Sequence, residues 1–70
     1  MLTKTQLNFY KTLEAYKAEH GIMPSHREMA ELMGIASTSA THSLVAQLEK
    51  RGALERIPRT HRAIRLLPLV

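Results

Sequence analysis

The chain has 70 residues, no cysteine, and a formal net charge of +4 at pH 7. That length allows one small domain, burying only about 60% of its unfolded surface and leaving little room for a deep catalytic cleft. Without cysteine there are no disulfides or thiolate metal sites; no apolar run approaches the roughly 20 residues of a membrane span, and the N-terminus does not read as a signal peptide, so a soluble, cytoplasmic protein is expected.

Thr3 followed by Gln6 is a capping signature that predicts a first helix running to about His20. Phe9, Leu13 and Tyr16, with Leu7 and Tyr10 beside them, make its apolar stripe. Gly21 ends it, and Ile22-Met23-Pro24 forms an extended link, because the residue before a proline is pushed out of helical space. Ser25 and Glu28 form a second capping box, opening a helix from about His26 to Met33 that is expected to bury Met29, Ala30, Leu32 and Met33. Gly34 supplies the left-handed residue that stops it.

A third helix starts near Ser37 or Thr38 and ends at Arg51, with Gly52 as its stop. Ala40, Leu44, Val45 and Leu48 are its expected inner stripe. Two helices joined by so tight a turn make a helix-turn-helix, whose second helix is shaped to enter a DNA major groove. Residues 53–57 and 63–67 then read as two strands joined by a turn with Pro58 at its entrance. Leu54, Ile64 and Leu66 are expected to pack inward, with Arg56 and Arg65 facing solvent or DNA. The expected fold is α+β and mainly α, a three-helix winged helix-turn-helix with a C-terminal two-stranded β-hairpin wing. One domain spans 1–67, and 68–70 is a frayed tail.

The outer face of the third helix carries Ser39, His42, Ser43, Ala46 and Lys50, with Gln47 on its flank. A helix built for solubility alone carries Glu and Lys there. Short hydroxyl side chains instead let a backbone approach base edges and either donate or accept. Ser39, His42 and Ser43 are therefore the expected base or groove contacts, while Ser37 or Thr38 caps the helix and touches phosphate. Charge points the same way: residues 1–47 balance to zero, so the whole excess lies in 48–70. Its arginines have a planar fork suited to phosphate. Expected phosphate contacts are Ser25, Arg27, Thr38, Lys50, Arg56, Arg59, His61 and Arg62, the last three at the wing tip.

Other chemistries fit less well. His20, His26, His42 and His61 show no ligand spacing, so no metal or other cofactor is expected. Ser43 and Lys50 could share a helix face, but nothing offers the buried lysine and oxyanion pocket of a serine–lysine pair, so no enzyme is expected. The rival is a protein-binding winged-helix adaptor acting on another regulator or nucleic-acid enzyme. It would not need its entire positive excess in the wing.

The order of residues resembles one family, the N-terminal DNA-binding domain of LexA-type repressors. The likeness rests on the Leu-Thr start, Gly21 and Pro24 before the cap, and the block Ser25-x-x-Glu28-Met29-Ala30-x-x-Met33-Gly34-Ile35. Ser37 follows the turn; Arg51-Gly52-Ala53-Leu54-Glu55 is similar to the family's Lys-Gly-Val-Ile-Glu, and Ala63-Ile64-Arg65-Leu66-Leu67 to its closing Gly-Ile-Arg-Leu strand. The resemblance implies a small transcriptional repressor of double-stranded DNA, with base-reading positions at Ser37, Ser39, Ala40, His42 and Ser43. A second copy on a repeated site, or a protein partner, would complete operator binding.

Departures from the family pattern matter. The family's asparagine is Ser39 here, its paired glutamates are His42 and Ser43, and its arginine just after the cap is His26. Histidine and serine offer donor patterns that glutamate lacks, so an operator other than the family's usual one is expected. The family's C-terminal peptidase domain has no counterpart within these 70 residues, which suggests a stand-alone regulator.

Overall fold

Three helices and a small sheet follow one another along the chain: α1 (Lys4–His20), α2 (His26–Met33), α3 (Thr38–Lys50), β1 (Leu54–Arg56) and β2 (Ile64–Leu66). The structure is a computed structural model that describes residues 2–57 and 64–68. This is the expected winged helix-turn-helix arrangement, mostly helical. The strands are three residues each, shorter than the alternation predicts, and pair antiparallel with Leu54 opposite Leu66 and Arg56 opposite Ile64.

Local chemistry sets the helix ends. Thr3 and Gln6 form a reciprocal capping box at α1, and Ser25 and Glu28 form another at α2. After α2, the Gly34 N–H donates to the Glu31 carbonyl and the Ile35 N–H to the Ala30 carbonyl, with Gly34 at a φ of 69°. That pairing closes the helix as a Schellman motif and needs the left-handed conformation glycine adopts without strain. The same pattern recurs after α3, where the Gly52 N–H reaches Glu49 and the Ala53 N–H reaches Leu48. Arg51 is the cap residue there, so α3 stops one residue before the expected end.

Phe9, Tyr10 and Leu13 of α1, Met23 of the link, Met29 of α2, Leu44, Val45 and Leu48 of α3, and Ala53 and Leu54 at the wing base form one core. Ile64 and Leu66 pack against it half-buried, so the wing leans on the helices, as a two-stranded sheet must. The Tyr10 hydroxyl donates a 2.7 Å hydrogen bond to the Leu67 carbonyl and ties α1 to the strand exit.

Several burial expectations change, and Met33 of α2 is only half-buried. Leu32 is 47% exposed; it lies about 100° round the helix from Met33, beyond the face that Met29 and Ala30 bury. On α3 the inner stripe is Thr41, Leu44, Val45 and Leu48, with Thr41 at 0% exposure and Ala40 only half-buried on the flank. Tyr16 is also half-buried, because its hydroxyl reaches out to donate to Glu28 Oε2 at 2.7 Å.

Candidate nucleic-acid interface

Burying one stripe of α3 leaves the opposite stripe to solvent. Ser39, His42, Ser43, Ala46 and Lys50 are all exposed, and at about 100° per residue they fall within one third of the helix circumference. Ser37 and Thr38 are exposed at its N-terminal end, where the first turn contains no acidic residue. Unpaired backbone N–H groups make that end the positive pole of the helix. Of the five expected base contacts, Ser37, Ser39, His42 and Ser43 share this open surface, and Ala40 sits half-buried on its edge.

The hydroxyls are pre-arranged. Ser37 caps α3 by accepting the Ser39 N–H at 3.2 Å, and its Oγ is 2.7 Å from the Ser39 Oγ. Ser43 Oγ accepts from Gln47 Nε2 at 3.2 Å, which leaves its own hydrogen to donate outward. The buried Thr41 hydroxyl donates to the Thr38 carbonyl at 2.7 Å and locks the first turn from within.

The N-terminus of α2 packs against a side chain of this surface through His26. Its ring stacks on the His42 ring, with centroids 3.6 Å apart and planes 18° from parallel. His26 Nδ1 lies 2.9 Å from Thr41 Oγ1. Thr41 spends its only hydrogen on the Thr38 carbonyl, so His26 must donate from Nδ1, and its Nε2 is the remaining free position. Burial first, then the neighbouring His42 and Arg56 charges, hold the His26 imidazole below the usual histidine pKa of 6.5. The neutral ring is favoured.

The expected phosphate contacts divide. Arg27 is exposed in the first turn of α2, and Lys50 is exposed at the C-terminal end of the α3 stripe. Ser25 is half-buried and accepts the Glu28 N–H at 3.2 Å as a cap, which leaves its hydroxyl hydrogen for an outside acceptor. Arg56 projects from the same face of β1 as Leu54, close enough to depress His26, and pairs with Glu49 of α3 at 3.5 Å. Arg65 projects from the other face and pairs with Glu55. Both arginines are exposed, but they do not address one side together. Arg59, His61 and Arg62 lie outside the described residues.

Sequence reasoning missed His26 as a residue packed against this surface, and Thr41 and Gln6 as its buried supports. His26 and Thr41 belong to different helices, so no spacing rule links them. Among the described residues no group of three or more His, Cys, Asp or Glu could hold a metal ion, and no helix is long and apolar enough to cross a membrane.

The family model of the LexA DNA binding domain matches residues 1–63. The chain is 38% identical over 68 residues to a LexA repressor of Listeria welshimeri, 39% over 66 residues to one of Bacillus subtilis, and 37% over 67 residues to one of Erythrobacter litoralis. These alignments take in 97%, 94% and 96% of this chain and 33%, 32% and 29% of the respective relatives. The chain thus spans about a third of the length of the curated relatives it matches. On its sequence match and its three-helix winged architecture, the chain belongs to the LexA DNA-binding domain family.

Proposed function

We propose that this protein is a sequence-specific double-stranded DNA-binding module of a transcriptional repressor, acting in the cytoplasm without enzymatic activity of its own. One observation carries the reading: the exposed stripe of α3 is short-chained, hydroxyl-bearing and free of acid along its N-terminal half, opposite a buried stripe that is apolar apart from Thr41. α3 lies in a major groove, with Ser37, Ser39, His42 and Ser43 toward base edges and Ala40 at the margin. Thr38, Ser25, Arg27 and Lys50 hold flanking phosphates. Arg56 exchanges its Glu49 partner for phosphate, and Arg59, His61 and Arg62 extend the contact along the backbone. A single module buries about 600–1,000 Å² and binds modestly, so two copies on a repeated or inverted site, or a protein partner, give stable occupancy. Repression follows from occluding a promoter.

Selection of bound sites from random duplexes, followed by affinity measurements across a salt series, tests this. A defined site and a slope of about −4 to −5 in log affinity against log salt are expected if about five phosphates are neutralised. No binding to any duplex at low salt would instead assign the surface to a protein partner.

A further inference from the structure

We propose that His26 is a specificity-positioning residue, whose ring and Nδ1–H together aim the His42 imidazole at one base of the target site. The proposal rests on α3 reading DNA but concerns a residue outside the contact set. A histidine on an exposed helix face ordinarily samples several rotamers. Here the His42 ring is backed across its face by His26 at 3.6 Å. His26 is itself pinned, because Nδ1 is held by the buried Thr41 hydroxyl and that hydroxyl is held by the Thr38 carbonyl. The chain of contacts runs from the backbone of the first α3 turn, through the N-terminal residue of α2, back to a side chain on the outer face of α3. His26 and Thr41 have fixed donor roles and the stack orients the His42 ring plane, so that plane is set before any ligand arrives. Restricting a reader in advance sharpens discrimination, since less ordering accompanies contact with the correct base.

The same site selection, run on the 70-residue chain with three variants, tests the proposal. His42→Ala removes the reader. His26→Asn keeps an N–H near the Nδ1 position for Thr41 and deletes the stacking ring. His26→Phe keeps a ring face and deletes the donor. We expect H42A to lose discrimination at one base pair, on the order of tenfold. H26N should lose it at that same base pair, H26F should lose part of it and fall between H26N and the unmodified protein, and H26N/H42A should be no worse there than H42A. Affinity for unrelated duplex and the salt slope should be unchanged in H26N. Unaltered preference in H26N, or an equal loss at every position, overturns the proposal.

Two measurements without DNA separate its failure from failure of the DNA-binding reading. Proton NMR of the free protein should show cross-ring contacts between His26 and His42 and a single His42 χ1 rotamer that becomes averaged in H26N. A His42 side chain already averaged in the unmodified protein, or absent cross-ring contacts, overturns the proposal even where DNA binding is intact. A fixed His42 in a protein that selects no DNA site removes the base-reading role along with the function it rests on.

Discussion

Gln6 and Gln47 lie 41 positions apart, and the Gln6 Nε2 donates a 2.8 Å hydrogen bond to the Gln47 Oε1. Gln6 is buried at the start of α1, where its Oε1 also accepts the Thr3 N–H at 3.0 Å. Gln47 passes the connection on by donating to Ser43. A capping residue of the first helix therefore braces, through Gln47, Ser43 of the third, a proposed base-reading position. Gln6→Met removes the reciprocal cap and leaves Gln47 without its donor, and should lower stability by about 1–2 kcal/mol. Urea unfolding checks the loss. An unchanged midpoint would show that the buried amide contributes nothing.

Tyr10 is the second such brace. Deleting its hydroxyl in Tyr10→Phe leaves the Leu67 carbonyl without this donor but the ring in the core. The expected cost is about 1 kcal/mol, which moves the melting temperature of a domain this small by about 4–8 °C. Burial first, and then the Glu14 carboxylate, raise the Tyr10 phenol above its ordinary 10.0. Folding therefore favours the protonated form, and stability should fall as pH rises through that value. Calorimetry of wild type and Y10F at neutral and alkaline pH reads both effects, and Y10F should lack the alkaline loss.

His26 predicts the opposite pH trend. Its folded-state pKa is lowered, so below 6.5 the unfolded chain takes up the proton first. Stability should be full above that value, fall as pH drops through it, and level off once the folded-state imidazole is protonated as well. The groups that oppose the charge are His42 on α3 and Arg56 on β1, with Glu49 beside Arg56 as the nearby counter-charge. Denaturation at pH 8 and pH 5.5, compared between wild type and H26N, isolates this contribution. A pH-dependent loss of equal size in both proteins would assign it to other groups.

The wing and the helix should fail differently on DNA. Arg59→Ala with Arg62→Ala is expected to weaken every duplex alike and flatten the salt slope by about 2, as lost phosphate contacts do. Ser39→Ala or Ser43→Ala should alter the selected sequence while leaving the slope near its wild-type value. Titrations on selected and scrambled duplexes at several salt concentrations distinguish the two. A wing variant that changes sequence preference would contradict the division of roles.

Each feature that rests on near neighbours could be read directly from the chain. Thr3 with Gln6, Ser25 with Glu28, and the glycines at 21, 34 and 52 place the helix ends, because caps and left-handed stops involve atoms within a few residues of one another. The three-helix order and the wing followed, as did the hydroxyl-rich face of α3. Tertiary packing alone decided the rest. Which side of α2 is covered depends on where α1 and α3 lie, so Leu32 stays outside while Met29 is buried. Thr41 could enter the core only because Thr38 and His26 satisfy its hydroxyl there. The His26–His42 stack and the Gln6–Gln47 bond join side chains from separate helices. Periodicity describes one helix at a time, whereas contacts across helices arise only when the apolar faces are buried together and polar groups trapped between them must find partners.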